Sequence, residues 1–333
     1  MRSRTVAAWA ATFVTAGALA GCSAQEHRPA GADVGKIQVR VGEVDRLPLT
    51  GSAEVELPLD SYLPSDEDNV TLQRAEAAVI NKCLRGLGYS HNPVPALGPS
   101  REPDRRPRAG WSALPAAQAA RYGFDVPPDS ETSRRRARAD DAWEERQSDT
   151  QRSLLAGEVG TFRGKDVPGG GCVGVAAERL TERAELPHET TLAGGVKVTS
   201  KGAKFSARSY VDMHIEAVRS RLVMLMERHP RIARMERKWS ACMAGKGYDY
   251  GRPADALNDE KWAGPADAAE QAAASQVSEC ETKADYMGVQ LAVSRAFEKA
   301  YVRDHRAYLG RLRGDLGTWL KNAEAISEAA AKS

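Results

Sequence analysis

Thiols are the most reactive side chains in this sequence, and there are five: Cys22, Cys83, Cys172, Cys242 and Cys280. Zinc ligation wants cysteines two to four residues apart, and no two of these are so close. The six histidines (His27, His91, His188, His214, His229, His305) are scattered, and none has an i, i+4 partner for a metal. The loop Gly160-Thr161-Phe162-Arg163-Gly164-Lys165-Asp166 invites a phosphate-binding reading. It fails, because Val159 stands where the first glycine belongs and Asp166 where Ser or Thr is required. Gly110-Trp111-Ser112-Ala113-Leu114 lacks the last glycine of a nucleophile elbow. Paired carboxylates lie on polar helical stretches, where solvation explains them. The sequence thus offers no catalytic constellation, no metal site and no cofactor site. A non-enzymatic role is the expectation.

Residues 1–21 read as an export signal. Arg2 and Arg4 lead an apolar run from Val6 to Leu19 that contains no charge. That run is shorter than the ~18 apolar residues of a membrane-spanning helix. It ends in Leu19-Ala20-Gly21-Cys22, which resembles the lipobox of bacterial lipoproteins. The resemblance implies a diacylglycerol on the Cys22 thiol, cleavage before Cys22, and a lipid anchor on the extracytoplasmic face of the cell membrane. Two acyl chains, at ~0.8 kcal/mol per buried methylene, anchor stably where one does not. Losing residues 1–21 removes two Arg and leaves 45 basic against 45 acidic residues. That balance excludes a dedicated nucleic-acid binder, which needs a basic surplus, and gives no support to a polybasic grip on lipid headgroups.

Four cysteines remain, and an even number in an exported chain reads as two disulfides. Three connectivities are open. Sequential pairing, Cys83–Cys172 with Cys242–Cys280, is preferred because it agrees with an internal repeat. Cys83-Leu84-Arg85-Gly86-Leu87-Gly88-Tyr89 aligns with Cys242-Met243-Ala244-Gly245-Lys246-Gly247-Tyr248. Each follows an amphipathic helical pattern, precedes a proline-containing loop and is followed by a second Cys. The repeat reads as a helix ended by a glycine cap, a tyrosine folding back, and a disulfide stapling the helix end to a returning helix.

The elements that must position these groups are mainly α. Residues 22–64 form a tether, where Lys36–Val44 and Ala53–Leu57 alternate apolar and polar residues. A short β-hairpin near the N-terminus and a plain stalk fit that pattern equally well. Ser65 with Asp66, Glu67 and Asp68 starts a helix that closes at Gly88. A short helix is expected over Pro115–Tyr122. Residues 129–152, with Arg134, Arg135, Arg136 and Arg138, invite an anion site but fit better as a solvated, ion-paired helix. A Gly-rich loop supplies flexibility before Cys172, and one short strand fits Gly195–Thr199. Helical spacing returns at Ser206 and breaks at Pro230. It resumes to Gly247, opens again at Pro265 and continues almost to the end. Gly310, Gly314 and Gly317 each cost about 1 kcal/mol against Ala, so a bend or break is expected there.

The domains expected are the signal (1–21), the tether (22–64), a first helical repeat with a polar insertion (65–204) and a second repeat with a long C-terminal helix (205–333). The fold class is a helical bundle of two disulfide-stapled helix–turn–helix repeats. The lipobox with the repeated Cys-x₄-Gly-Tyr elements resembles uncharacterised lipoproteins of actinobacteria, over residues 65–325. That resemblance implies no activity. For binding, the aromatics Trp239, Tyr250 and Trp262 near the second turn are the candidates, since rings in a disulfide-held loop can form a platform. Tyr89 and Tyr248 read as core residues sealing the turns, with Tyr250 the more exposed. The expected role is a non-enzymatic binding or accessory module with a cell-envelope protein partner. The alternatives are a solute-binding lipoprotein of a transporter, which needs two α/β lobes, and an envelope enzyme with a dispersed site.

Overall fold

The structure, a computed structural model, describes residues 37, 39–49, 55–96, 111–125, 127, 131–184, 187–200 and 205–332. Cys22 and the whole export signal lie outside the described residues. The chain is mainly helical. Helix α1 (Asp66–Gly86) is followed by α2 (Ala116–Tyr122), α3 (Glu131–Glu145) and α4 (Asp149–Ala156). Strands β1 (Thr161–Phe162) and β2 (Lys165–Asp166) make a small antiparallel hairpin before α5 (Gly171–Leu180). A second antiparallel pair, β3 (Glu189–Thr191) and β4 (Lys197–Thr199), precedes α6 (Ala207–Met226) and α7 (Pro230–Ala244). The chain ends in the short α8 (Pro253–Leu257), then α9 (Ala268–Lys283), α10 (Tyr286–Asp304) and α11 (Arg306–Ala331).

The start of α1 follows from its sequence. Ser65 Oγ accepts the Asp68 N–H at 3.1 Å while Asp68 Oδ2 accepts the Ser65 N–H at 2.9 Å, a reciprocal cap that satisfies two backbone donors. α1 then packs along α5 on one side and α11 on the other. The polar stretch after residue 129 carries local ion pairs, as Arg135 Nη2 lies 2.5 Å from Glu131 one turn away.

The hairpins sit at 161–166 and 189–199. The described residues between 37 and 57 contain no strand. They act instead as an apolar strap, with Ile37, Val39, Val41, Leu49 and Val55 packed against the main core. Arg231 Nη2 donates to the Val41 carbonyl at 3.0 Å. Gly288 of α10 lets the strap lie close, since a Cβ there would come within 1.9 Å of the Asp45 carbonyl oxygen.

Two expectations about glycine are corrected. α11 runs unbroken through Gly310, Gly314 and Gly317. Burying Leu309, Leu312, Leu316, Trp319 and Ala323 on one face, at ~1.5–3 kcal/mol for each large side chain, outweighs the helix cost of three glycines. Breaks fall instead at Asp285, which takes φ +57°, and at His305. The Gly-rich loop before Cys172 does more than flex. Gly157 and Gly171 both take positive φ, and a Cβ on Gly171 would meet the Leu155 carbonyl oxygen at 2.3 Å. Their backbones touch, and this contact sets the start of α5.

The main core joins α1, α2 and α6–α11 around Trp239, Trp319, Tyr301 and Ile215. A smaller core under the first turn holds Ile80, Leu84, Leu87, Tyr89 and Leu154. Buried carboxylates among the described residues include Glu270, Glu281 and Glu298, each accepting a backbone N–H. Arg219 of α6 pairs with Asp60 and with Glu298 of α10, and Glu298 also accepts the Leu59 N–H at 2.8 Å. This ties the Pro58–Tyr62 turn to both helices. Glu281, fully buried, accepts the Leu114 N–H at 2.8 Å, and burial pushes its carboxyl well above the ordinary value. His214 is buried, with both ring nitrogens bonded within the fold. Nδ1 meets the Tyr210 carbonyl at 2.7 Å and Nε2 meets Thr190 Oγ1 at 3.2 Å, and burial lowers its pKa.

Candidate functional site

The repeated turns carry the same backbone. Gly88 has φ +84° and Gly247 φ +87°. The Tyr89 N–H donates to the Leu84 carbonyl at 2.8 Å, and the Tyr248 N–H to the equivalent Met243 carbonyl at 3.1 Å. The glycine N–H groups close the inner bonds to Arg85 and Ala244, at 2.9 and 3.0 Å. Both are glycine-capped ends in which the last free carbonyls are satisfied by the reversing chain.

Each turn is pinned by sulfur with the sequential connectivity. Cys83 is bonded to Cys172 and Cys242 to Cys280, with Cα–Cα distances of 5.6 and 5.7 Å. The returning helices differ. Cys172 opens α5, which runs back along α1. Cys280 sits near the end of α9, so α7 and α9 meet at their C-terminal ends.

The second turn leads into an aromatic patch. Tyr248 and Tyr250 stack nearly parallel, 6.3 Å between ring centres and 9° between planes. Lys261 Nζ lies 4.6 Å from the Trp262 ring centre, 4.9 Å from Tyr250 and 5.9 Å from Tyr248. Asp259 binds both neighbours, taking the Tyr250 hydroxyl at 2.7 Å and lying 3.2 Å from Lys261 Nζ. Phe124, arriving from α2, packs on Trp262 at 5.7 Å. The Tyr250 hydroxyl and the Lys261 backbone N–H hold the Asp259 carboxyl below its usual value, and hydrogen bonding to Tyr250 raises the Lys261 ammonium. Each cation–ring contact is worth ~0.5–1 kcal/mol when exposed. The patch is therefore a fixed surface of half-buried rings with one cation and one anion at its edge.

Of the predicted binding residues, the structure brings Tyr250 and Trp262 together and removes Trp239. Trp239 is 0% exposed because α7 turns it into the main core, so it presents nothing to a partner. Lys261 and Asp259 were missed. Their adjacency to Trp262 in Asp259-Glu260-Lys261-Trp262 was the available signal, whereas nothing local marks Phe124.

A small cleft of about 240 Å³ is lined by Trp111, Glu227, Glu236, Arg252 and Tyr286 among others. Burial raises the Glu236 carboxyl, against the pull of Arg252 and with the push of Glu227 and Asp255. The Tyr286 hydroxyl is fixed by the Ser112 N–H at 2.6 Å and by Gln290 Nε2 at 3.3 Å. The volume falls below the ~300–1,000 Å³ usual for small-molecule sites. Among the described residues no group of His, Cys, Asp and Glu is placed to hold a metal ion, and no helix is long and apolar enough to cross a membrane.

No protein-family profile, no curated protein and no solved structure matches this chain.

Proposed function

We propose that this chain is an extracytoplasmic lipoprotein, held on the cell membrane through Cys22, that serves as a non-enzymatic binding or accessory module of the cell envelope. The observation that carries the reading is the pair of disulfides at the two glycine-capped turns. Such bonds form and persist in oxidising compartments outside the cytosol. The Leu19-Ala20-Gly21-Cys22 motif agrees with export and acylation. The partner surface in this reading is the patch of Tyr248, Tyr250, Lys261 and Trp262, rigid enough to be recognised without an ordering cost. The mainly helical fold speaks against a solute-binding protein of two α/β lobes. An envelope enzyme is the second reading, favoured only by the carboxylates Glu227 and Glu236 in their small cleft.

Two measurements test the proposal. Labelled palmitate should enter the wild-type chain and not the Cys22→Ala variant, and the wild type should fractionate with membranes. An unlabelled, non-membrane wild type would overturn the anchoring. Crosslinking on intact membranes should then trap an envelope protein, with the yield cut severalfold by Tyr250→Ala plus Trp262→Ala. An unchanged yield removes the patch from the proposal.

A further inference from the structure

A groove of about 1040 Å³ lies between α1, α5 and α11. We infer that it binds a single anionic phospholipid molecule. Its volume lies at the upper end of the range of small-molecule sites. The floor is aliphatic, built from Ala78 and Val79 of α1, Val175 of α5 and Ile326 of α11. The Cys83–Cys172 bond fixes the spacing of α1 and α5 at one end.

The lining also decides what kind of head group fits. Lys82 and Arg85 stand exposed along the α1 edge, and neither is ion-paired among the described residues. Arg179 faces them from α5, and the one acid in the lining, Glu182, lies 3.4 Å from it. The neighbouring C-terminus of α1 is the negative end of the helix dipole, which disfavours an anion. Here Lys165 Nζ and Arg163 Nη1 donate to the Gly86 and Gly88 carbonyls, both at 2.6 Å, and place two cations against that end. The amides of Asn81 and Asn322 are already committed, to Val94 and to the Leu180 and Glu182 carbonyls. A sugar or an extended peptide would find few neutral partners in such a groove. An acyl chain under a phosphate needs none, only apolar contact and cations at the mouth.

The inference is independent of acylation, and its test uses the full, oxidised chain with Cys22→Ser. Monomeric dioctanoyl phosphatidylglycerol is titrated by calorimetry beside dioctanoyl phosphatidylcholine and inorganic phosphate. Saturable binding of the phosphatidylglycerol is expected, at least about tenfold tighter than the phosphatidylcholine (~1.4 kcal/mol), with none for phosphate. Lys82→Glu with Arg85→Glu should weaken it by about tenfold or more, and Ala329→Trp should block it, with helix content unchanged by circular dichroism. Absent binding, equal binding of the two lipids, or an unaffected charge-reversed variant overturns the inference. Should a tryptophan variant misfold, the exposed charge reversals still decide it.

Discussion

The turns at residues 83–89 and 242–248 share a backbone and differ in almost everything around it. Tyr89 is buried, and its hydroxyl lies 3.1 Å from Ser148 Oγ and 3.3 Å from Gln151 Oε1. Tyr248 is half-buried, stacked on Tyr250 below a lysine. The residue before the αL glycine tells the same story. Leu87 is 6% exposed in the smaller core, whereas Lys246 reaches Glu279 at 2.8 Å. The first turn is closed over by α4 and the β1–β2 hairpin; the second remains at the surface and carries the aromatic patch. One local motif has thus been used once as a buried anchor and once as the base of an exposed face.

The largest test of this comparison removes the sulfur. By chain entropy, Cys83→Ser with Cys172→Ser should cost about 4.5 kcal/mol, and Cys242→Ser with Cys280→Ser about 4 kcal/mol. The difference reflects closed segments of 89 and 38 residues. Urea unfolding measures both, and a much smaller loss at one pair would mean that its neighbours already hold the turn. Next come the glycines. Gly88→Ala and Gly247→Ala should each destabilise by ~1–2 kcal/mol, the cost of an L side chain in the left-handed region. Equal losses are expected because both sites leave room for the added methyl, and unequal ones would break the equivalence of the caps.

The tyrosines separate the turns. Tyr89→Phe should cost about 1 kcal/mol, since buried Gln151 loses a partner. Tyr248→Phe should stay within about 0.5 kcal/mol, both read by thermal unfolding. The smallest effect is a pH dependence confined to the second turn. Hydrogen bonds from Lys246 and Lys283 hold the Glu279 carboxyl down at about 2 against an ordinary 4.5. A carboxyl whose pKa falls on folding stabilises above its unfolded value and loses that contribution as pH drops from ~4.5 towards 2. An NMR titration should place Glu279 there, and Lys246→Ala should move it upward. Exposure and salt keep the stability change small.

Much of the fold was legible because it is local. The Ser65 cap, the glycine stops and the helical spacing each depend on residues within one or two turns. The disulfide pairing was legible too, although it is long-range, since the repeat linked each turn to the next cysteine. The candidate site was read less well. Trp239 and Trp262 are both tryptophans near one turn, and only the rotation of α7 sends the first inward. The docking of the N-terminal strap, the backbone contact of Gly157 with Gly171 and the arrival of Phe124 all join distant segments, and single-sequence periodicity carries no such contact.

The sequence by itself determined how α1 starts, where its glycine-capped turn and that of α7 fall, and which cysteine pairing to prefer, because caps, spacing and repeats are properties of neighbouring residues. The tertiary structure decided which turn is covered, which aromatics face outward and where three helices leave a groove. Those outcomes follow from how apolar faces share a limited core, and that competition is settled only when all the helices are in place.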